Sequence, residues 1–114
     1  MCGFAGSFAL AAGSSITRAE LDAMVAPLHH RGPDATASWQ DADGRSGLAH
    51  ARLAIIDLSG GRQPMEDSSG DVVLAFNGEI FNFVELREEL EGRGHRFRTN
   101  SDTEVLLAAY VAWG

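Results

Sequence analysis

The only cysteine of this 114-residue chain stands at position 2, directly after Met1, and opens the run Cys2-Gly3-Phe4-Ala5-Gly6-Ser7-Phe8. Removal of Met1, which small following side chains favour, would place a thiol and a free α-amino group on one residue. An α-amino group ordinarily titrates at about 7.7–8.0 and a thiol at about 8.5, so the amine can take the thiol proton near neutral pH. One residue would then supply both nucleophile and general base. Position alone proves little, because a lone cysteine is more often a small buried hydrophobe at a strand start.

The other chemistry-bearing residues also have ordinary readings. Taken singly, Arg52 is a surface or strand-edge arginine, and Glu79 and Asp102 are solvated turn or cap carboxylates. Asp102 can serve as a cap in any case, since a helix N-terminus favours a carboxylate. Asn77-Gly78 by itself is a hairpin turn. His29, His30, His50 and His95 follow no metal-ligand spacing with Cys2, so no metal site is expected. Ser59-Gly60-Gly61 reads as a plain turn and Gly92-Arg93-Gly94 as a helix stop.

The elements that must position these residues follow from periodicity. Residues 3–10 mix Phe, Ala and Leu as a strand buried on both faces would. Thr17 and Glu20 form a capping box for a helix carrying Leu21, Met24, Val25 and Leu28, which stops before Arg31-Gly32-Pro33-Asp34. Strands are expected over 35–40 and 48–58, joined by a turn at Asp41–Gly44, and over 72–76, running into Asn77-Gly78, a pair that favours positive φ. Asn82 and Glu85 predict a second capping box, for a helix with Phe83, Leu86 and Leu90 that ends at Gly92 or Gly94. A short strand is expected at 95–98. A third helix starts at Ser101 or Asp102 and turns Val105, Leu106, Ala109, Tyr110 and Trp113 inward.

Composition bounds the function. A hydrophobic content of 45% is that of a globular chain, and the length allows at most one domain with a small core. The net charge of −7 and the scattered arginines argue against nucleic acid or an anionic membrane surface as partner. No apolar run approaches the roughly 20 residues of a membrane span, and the first ten residues lack the basic start of a signal peptide. A cytoplasmic location is expected.

Taken in order, Met1-Cys2-Gly3, His30-Arg31-Gly32-Pro33-Asp34, Leu48 through Asp57, Gln63-Pro64-Met65, Asn77 through Asn82 and Ser101-Asp102-Thr103-Glu104 form a specific set. The chain resembles, over essentially its whole length, the amino-terminal glutaminase domain of glutamine-hydrolysing asparagine synthetases. These are class II glutamine amidotransferases with the N-terminal nucleophile hydrolase fold. Glu79 after Asn-Gly, and Pro33-Asp34 after Arg-Gly, favour this branch over the glucosamine-6-phosphate synthase and amidophosphoribosyltransferase branches.

The resemblance implies an α+β fold, a four-layer αββα sandwich of antiparallel sheets, with residues 1–114 forming only the N-terminal portion of the domain. It implies that Cys2 attacks the side-chain amide of glutamine, forms a γ-glutamyl thioester and releases ammonia. Asn77 and Gly78 match the oxyanion hole. Arg52 matches the residue that pairs with the substrate α-carboxylate, Glu79 and Asp102 those that hold the α-ammonium, and Leu53, Ile55 and Ile56 the pocket lining. Arg31 lies in the loop that packs near the nucleophile. No cofactor is expected here; ATP and Mg would belong to a synthetase half beyond these residues, the expected partner, where ammonia meets activated aspartate. Glutamine is the expected ligand, and a homodimer is left open. Without the continuing strands, residues 1–114 alone are expected to be unstable or inactive as a catalyst. Two rivals stand beside this reading: the same glutaminase serving another carboxylate acceptor in secondary metabolism, and a non-catalytic interaction or regulatory module of the same fold.

Overall fold

Thr17 starts the first helix as its side chain requires. Its hydroxyl accepts from the Glu20 N–H at 3.2 Å, while the Glu20 carboxylate accepts from the Thr17 N–H at 2.6 Å. In the computed structural model, which describes residues 1–114, helix α1 (Arg18–Val25) follows this capping box and passes into a 3-10 turn at Ala26–Leu28. Leu21 and Val25 join Ile16, Ala49 and Ala51 in the principal core.

That core seats α1 on one face of a three-stranded antiparallel sheet of β1 (Gly3–Phe8), β2 (Ala35–Gln40) and β3 (Ser46–Arg52), in the order β1-β3-β2. Gly3 pairs with Ala51 and Ala35 with Arg52, so the ends of both outer strands meet the end of β3. The β2–β3 turn closes as its sequence predicts: Gly44 takes a φ of 67°, and the Asp41 carboxylate accepts from the Arg45 N–H at 2.7 Å. Small residues face α1, and Gly47 must be one of them, since a Cβ there would lie 2.8 Å from Leu21 Cδ1.

Alternation sends Leu48, His50 and Arg52 to the other face. Across it runs a short antiparallel ribbon, β4 (Met65–Glu66) with β5 (Val73–Leu74). Two bonds tie ribbon to sheet: Trp39 Nε1–H donates to Glu66 Oε1 at 2.7 Å, and His50 Nε2 meets the Phe76 carbonyl at 3.2 Å. Helices α2 (Phe83–Gly92) and α3 (Asp102–Trp113) pack on each other through Leu90, Val105 and Ala108, and α3 also packs on β4 and β5. The chain is thus mixed α and β with antiparallel sheets. No helix is long and apolar enough to cross a membrane.

Several sequence expectations need correction. β1 is covered on one face only: Phe4, Phe8 and Leu10 are exposed, Phe8 at 71%. The predicted strand over 48–58 ends at Arg52, because the pairing partners end there. β5 covers only Val73–Leu74, and β4 was not expected. Asn82 makes no capping hydrogen bond; a turn bond from the Phe83 N–H to the Ile80 carbonyl (3.1 Å) precedes α2 instead.

Residues 95–98 form no strand. Gly94 takes a φ of 94°, and the His95 N–H returns to the Leu90 carbonyl at 3.0 Å, closing α2 in a Schellman motif. Leu107 and Ala108 are buried on α3, whereas Tyr110 (58%) and Trp113 (44%) are exposed. Neither Asn77 nor Gly78 has a positive φ.

Candidate active site

Cys2 lies one residue before β1, where the β1–β3 ladder stops. Its thiol continues the pairing in place of backbone. The Leu53 N–H donates to Cys2 Sγ at 3.3 Å, and the Sγ–H reaches the Leu53 carbonyl at 3.5 Å. Arg31 Nε–H donates to the Cys2 carbonyl at 3.1 Å from the loop after the 3-10 turn. That loop sits flush on β3: a Cβ at Gly32 would lie 2.2 Å from the Ala51 carbonyl oxygen. The Asp34 carboxylate accepts from the Ala54 N–H at 2.8 Å and fixes the chain just beyond the thiol.

Arg52 is buried, and its guanidinium is held by the turn that follows. Nη2 donates to the carbonyls of Ile56 (3.1 Å) and Asp57 (2.5 Å), and Nη1 to that of Leu58 (3.3 Å). The turn is tight enough to need glycine at 61, where a Cβ would meet Arg52 Nη2 at 2.8 Å and Ser101 Cβ at 3.1 Å. Asp57 is the only non-glycine residue with positive φ, at 48°. Its carboxylate accepts from the Asn100 N–H (2.8 Å) and the Gly60 N–H (2.9 Å). These bonds, that from Asn100 foremost, hold the Asp57 carboxyl below the usual carboxylate range.

Opposite lies the start of α3. Ser101 caps it, its hydroxyl accepting from the Glu104 N–H at 3.2 Å. Asp102, 6% exposed, accepts from the Ile80 N–H at 3.0 Å and so holds the segment after Asn77-Gly78-Glu79. Burial pushes the Glu104 carboxyl up, but bonds from the Thr99 hydroxyl and the N–H groups of Arg98 and Thr99 outweigh it and leave the group lowered.

Phe76, which leads into Asn77, has both backbone groups held by buried side chains. Its N–H donates to Gln63 Oε1 at 2.5 Å, and its carbonyl meets His50 Nε2. Gln63 Nε2 in turn donates to Thr103 Oγ1 at 3.1 Å. A Cβ at Gly78 would lie 2.7 Å from Phe76 Cζ, so the Phe76 ring would have to move to admit one.

Cys2, Arg52 and the turn after it, the segment from Phe76 to Glu79 and the start of α3 border one cavity of about 230 Å³. Its lining contains Cys2, Arg52, Leu53, Ile55, Ile56, Asn77, Gly78, Glu79 and Asp102, the nine residues to which the resemblance gives catalytic or binding roles, together with Met1 and Gln63, while Arg31 stands behind Cys2 and does not line it. A thiol sulfur, a buried cation, two carboxylates and an exposed amide thus line a single space. No three of the chain's His, Cys, Asp and Glu side chains cluster as metal ligands would.

Sequence reasoning gave no role to Gln63, His50 or Asp57. Each lies within one of the ordered motifs, as a polar residue set among apolar or turn residues, as in Leu48-Ala49-His50-Ala51.

The profile of the glutamine amidotransferase domain matches residues 1–114. Asparagine synthetase (glutamine-hydrolyzing) 1 of Bacillus subtilis is 43% identical over 96% of this chain and 17% of its own length. Asparagine synthetase (glutamine-hydrolyzing) 3 of the same organism is 45% identical over 82% of the chain and 15% of its own length. Asparagine synthetase (glutamine-hydrolyzing) 1 of Arabidopsis thaliana is 39% identical over 100% of the chain and 19% of its own length. The chain therefore spans less than a fifth of these curated relatives.

Proposed function

The chain belongs to the glutamine amidotransferase domain family, and on that premise we propose that it is the amino-terminal part of the glutaminase domain of a glutamine-hydrolysing asparagine synthetase. Its substrate is glutamine, its products are glutamate and ammonia, and the reaction runs through Cys2. The convergence of all nine sequence-selected residues on one cavity carries this reading.

The roles follow from chemistry. In the precursor the nitrogen of Cys2 is a peptide amide and cannot accept a proton, so Met1 must be removed. The freed amine takes the Sγ proton as the thiolate attacks the side-chain carbonyl carbon of glutamine. The new oxyanion is received by the Asn77 side-chain amide and the Gly78 N–H. Collapse breaks the C–N bond, the amine returns its proton to the departing nitrogen, and ammonia leaves a γ-glutamyl thioester. Water attacks this thioester, giving glutamate and the free thiol.

Arg52 receives the α-carboxylate. A guanidinium has five N–H donors, so the turn carbonyls leave some free for the substrate. Glu79 and Asp102 hold the α-ammonium, and Leu53, Ile55 and Ile56 border the aliphatic part. The finer fold is the four-layer αββα sandwich; the order α1, sheet, ribbon and α3 supports it. ATP and magnesium serve a synthetase half, where ammonia converts activated aspartate to asparagine.

The test is intact mass of the full-length enzyme carrying these residues after exposure to a glutamine-like diazoketone that alkylates activated thiols. Loss of Met1 with a single adduct, blocked by glutamine and absent in Cys2→Ala, is the expected result. A Met1-free chain that gains no adduct, or an adduct that survives Cys2→Ala, would overturn the assignment.

A further inference from the structure

The α-carboxylate and α-ammonium of an amino acid share one carbon, so the groups that bind them must be held at a fixed spacing. Arg52 ends β3, whereas Asp102 begins α3, and no strand or helix joins the two. The connection runs through Asp57. Its backbone carbonyl accepts from Arg52 Nη2 at 2.5 Å, and its carboxylate accepts from the Asn100 N–H, 43 residues away and two before Asp102, at 2.8 Å. The same carboxylate binds the Gly60 N–H of its own turn at 2.9 Å. Two close approaches reinforce the junction: Gly60 has no room for a Cβ beside Asp57 Oδ2, and Gly61 none between Arg52 and Ser101.

We infer that Asp57 is a positioning residue that sets the spacing between Arg52 and Asp102, and with it the affinity for the α-amino-acid end of the substrate. This rests on the glutaminase reading. The left-handed backbone at Asp57 suits aspartate, asparagine or glycine. A residue needed only for its left-handed backbone would therefore be replaced by glycine without loss. The carboxylate bonds, to Gly60 within the turn and to Asn100 across the junction, are what glycine cannot supply.

The experiment uses Asp57→Gly and Asp57→Asn in the full-length enzyme carrying these residues, with iodoacetamide alkylation of Cys2 read by mass spectrometry at increasing L-glutamine. Iodoacetamide carries neither α-group, so its rate without glutamine reports the thiol alone. In Asp57→Gly the half-protecting glutamine concentration should rise about 10-fold, the scale of one charge-assisted hydrogen bond, with the unprotected rate unchanged within about 2-fold. Asp57→Asn, which keeps one acceptor oxygen, should show a smaller rise, and it carries the test if the glycine variant does not fold. Wild-type protection in both variants would overturn the inference, as would equal slowing of alkylation with and without glutamine. If glutamine fails to protect the unsubstituted protein, the glutaminase reading is wrong. The bridge is then judged by amide exchange at Asn100: acceleration in the variants upholds it, and unchanged exchange refutes it.

Discussion

Cys2 and Leu53 grip each other through both backbone groups of the leucine. The Leu53 N–H donates to the sulfur at 3.3 Å, and the thiol reaches the Leu53 carbonyl at 3.5 Å. Gly3 pairs with Ala51, so the sulfur occupies the place where the ladder would otherwise continue. The thiol is thus aimed by a strand end and not by a flexible tail. The Sγ–H bond to a carbonyl is a bond of the resting thiol, and it must break when the thiolate forms.

Replacing this sulfur should separate chemistry from stability. Cys2→Ala removes weak, half-buried bonds and should cost no more than about 1 kcal/mol in denaturant unfolding. Glutamate release by the full-length enzyme carrying these residues should fall by about 10⁴-fold or more, since no other group can form the thioester. Retention of even a tenth of the activity would place the nucleophile elsewhere.

Asn77 is exposed, and its backbone is held through Phe76 by Gln63 and His50. Asn77→Ala should therefore leave stability within about 0.5 kcal/mol, as surface substitutions do. The oxyanion role predicts a loss of roughly 100- to 1000-fold in kcat with KM little changed. A rise in KM at constant kcat would instead assign the amide to ground-state binding.

Gly32 tests the backing of the site. A Cβ there would collide with the Ala51 carbonyl oxygen at 2.2 Å, and backbone cannot swing aside as a side chain can. Gly32→Ala should destabilise by about 1–3 kcal/mol, the usual range for overpacking. It should also loosen Arg31 from the Cys2 carbonyl and slow diazoketone labelling. Gly92→Ala, whose Cβ meets nothing within 4 Å, is the control and should not destabilise.

The grouping of the candidate site was more legible than the scaffold. The motifs from Cys2 to Asp102 converge on one cavity, because short polar signatures encode chemistry locally. The capping box at Thr17 and Glu20 was legible for the same reason, all its partners lying within one turn. The apolar run Leu53, Ile55, Ile56 and Leu58 looked like more of β3. Strand identity, however, needs a partner, and those of β3 end at Gly3 and Ala35.

Residues 95–98 failed as a strand because Leu90 and the Glu104 carboxylate claim the N–H groups of His95 and Arg98. Helix α3 is apolar around much of its circumference. Periodicity could not tell that Leu107 and Ala108, and not Tyr110 and Trp113, would face the packed side.

The acid limit of the fold should be set partly by His50. It is 1% exposed, its Nε2 faces the Phe76 carbonyl and so carries the proton, and its Nδ1 has no partner. Burial lowers its pKa below the ordinary 6.5, and the nearby Arg52 cation lowers it further. A lowered histidine is neutral in the fold, while the unfolded chain still binds a proton near 6.5. Its contribution is therefore complete above that value and is lost as pH falls from there through the lowered folded value. One proton limits the slope to about 1.4 kcal/mol per pH unit. His50→Gln retains an N–H for the Phe76 carbonyl but cannot titrate. Unfolding free energies of the protein and this variant, measured from pH 7.5 to 5, should converge as the pH falls. Parallel curves would mean that His50 titrates alike in both states, and that burying its charged form is not what sets the acid limit.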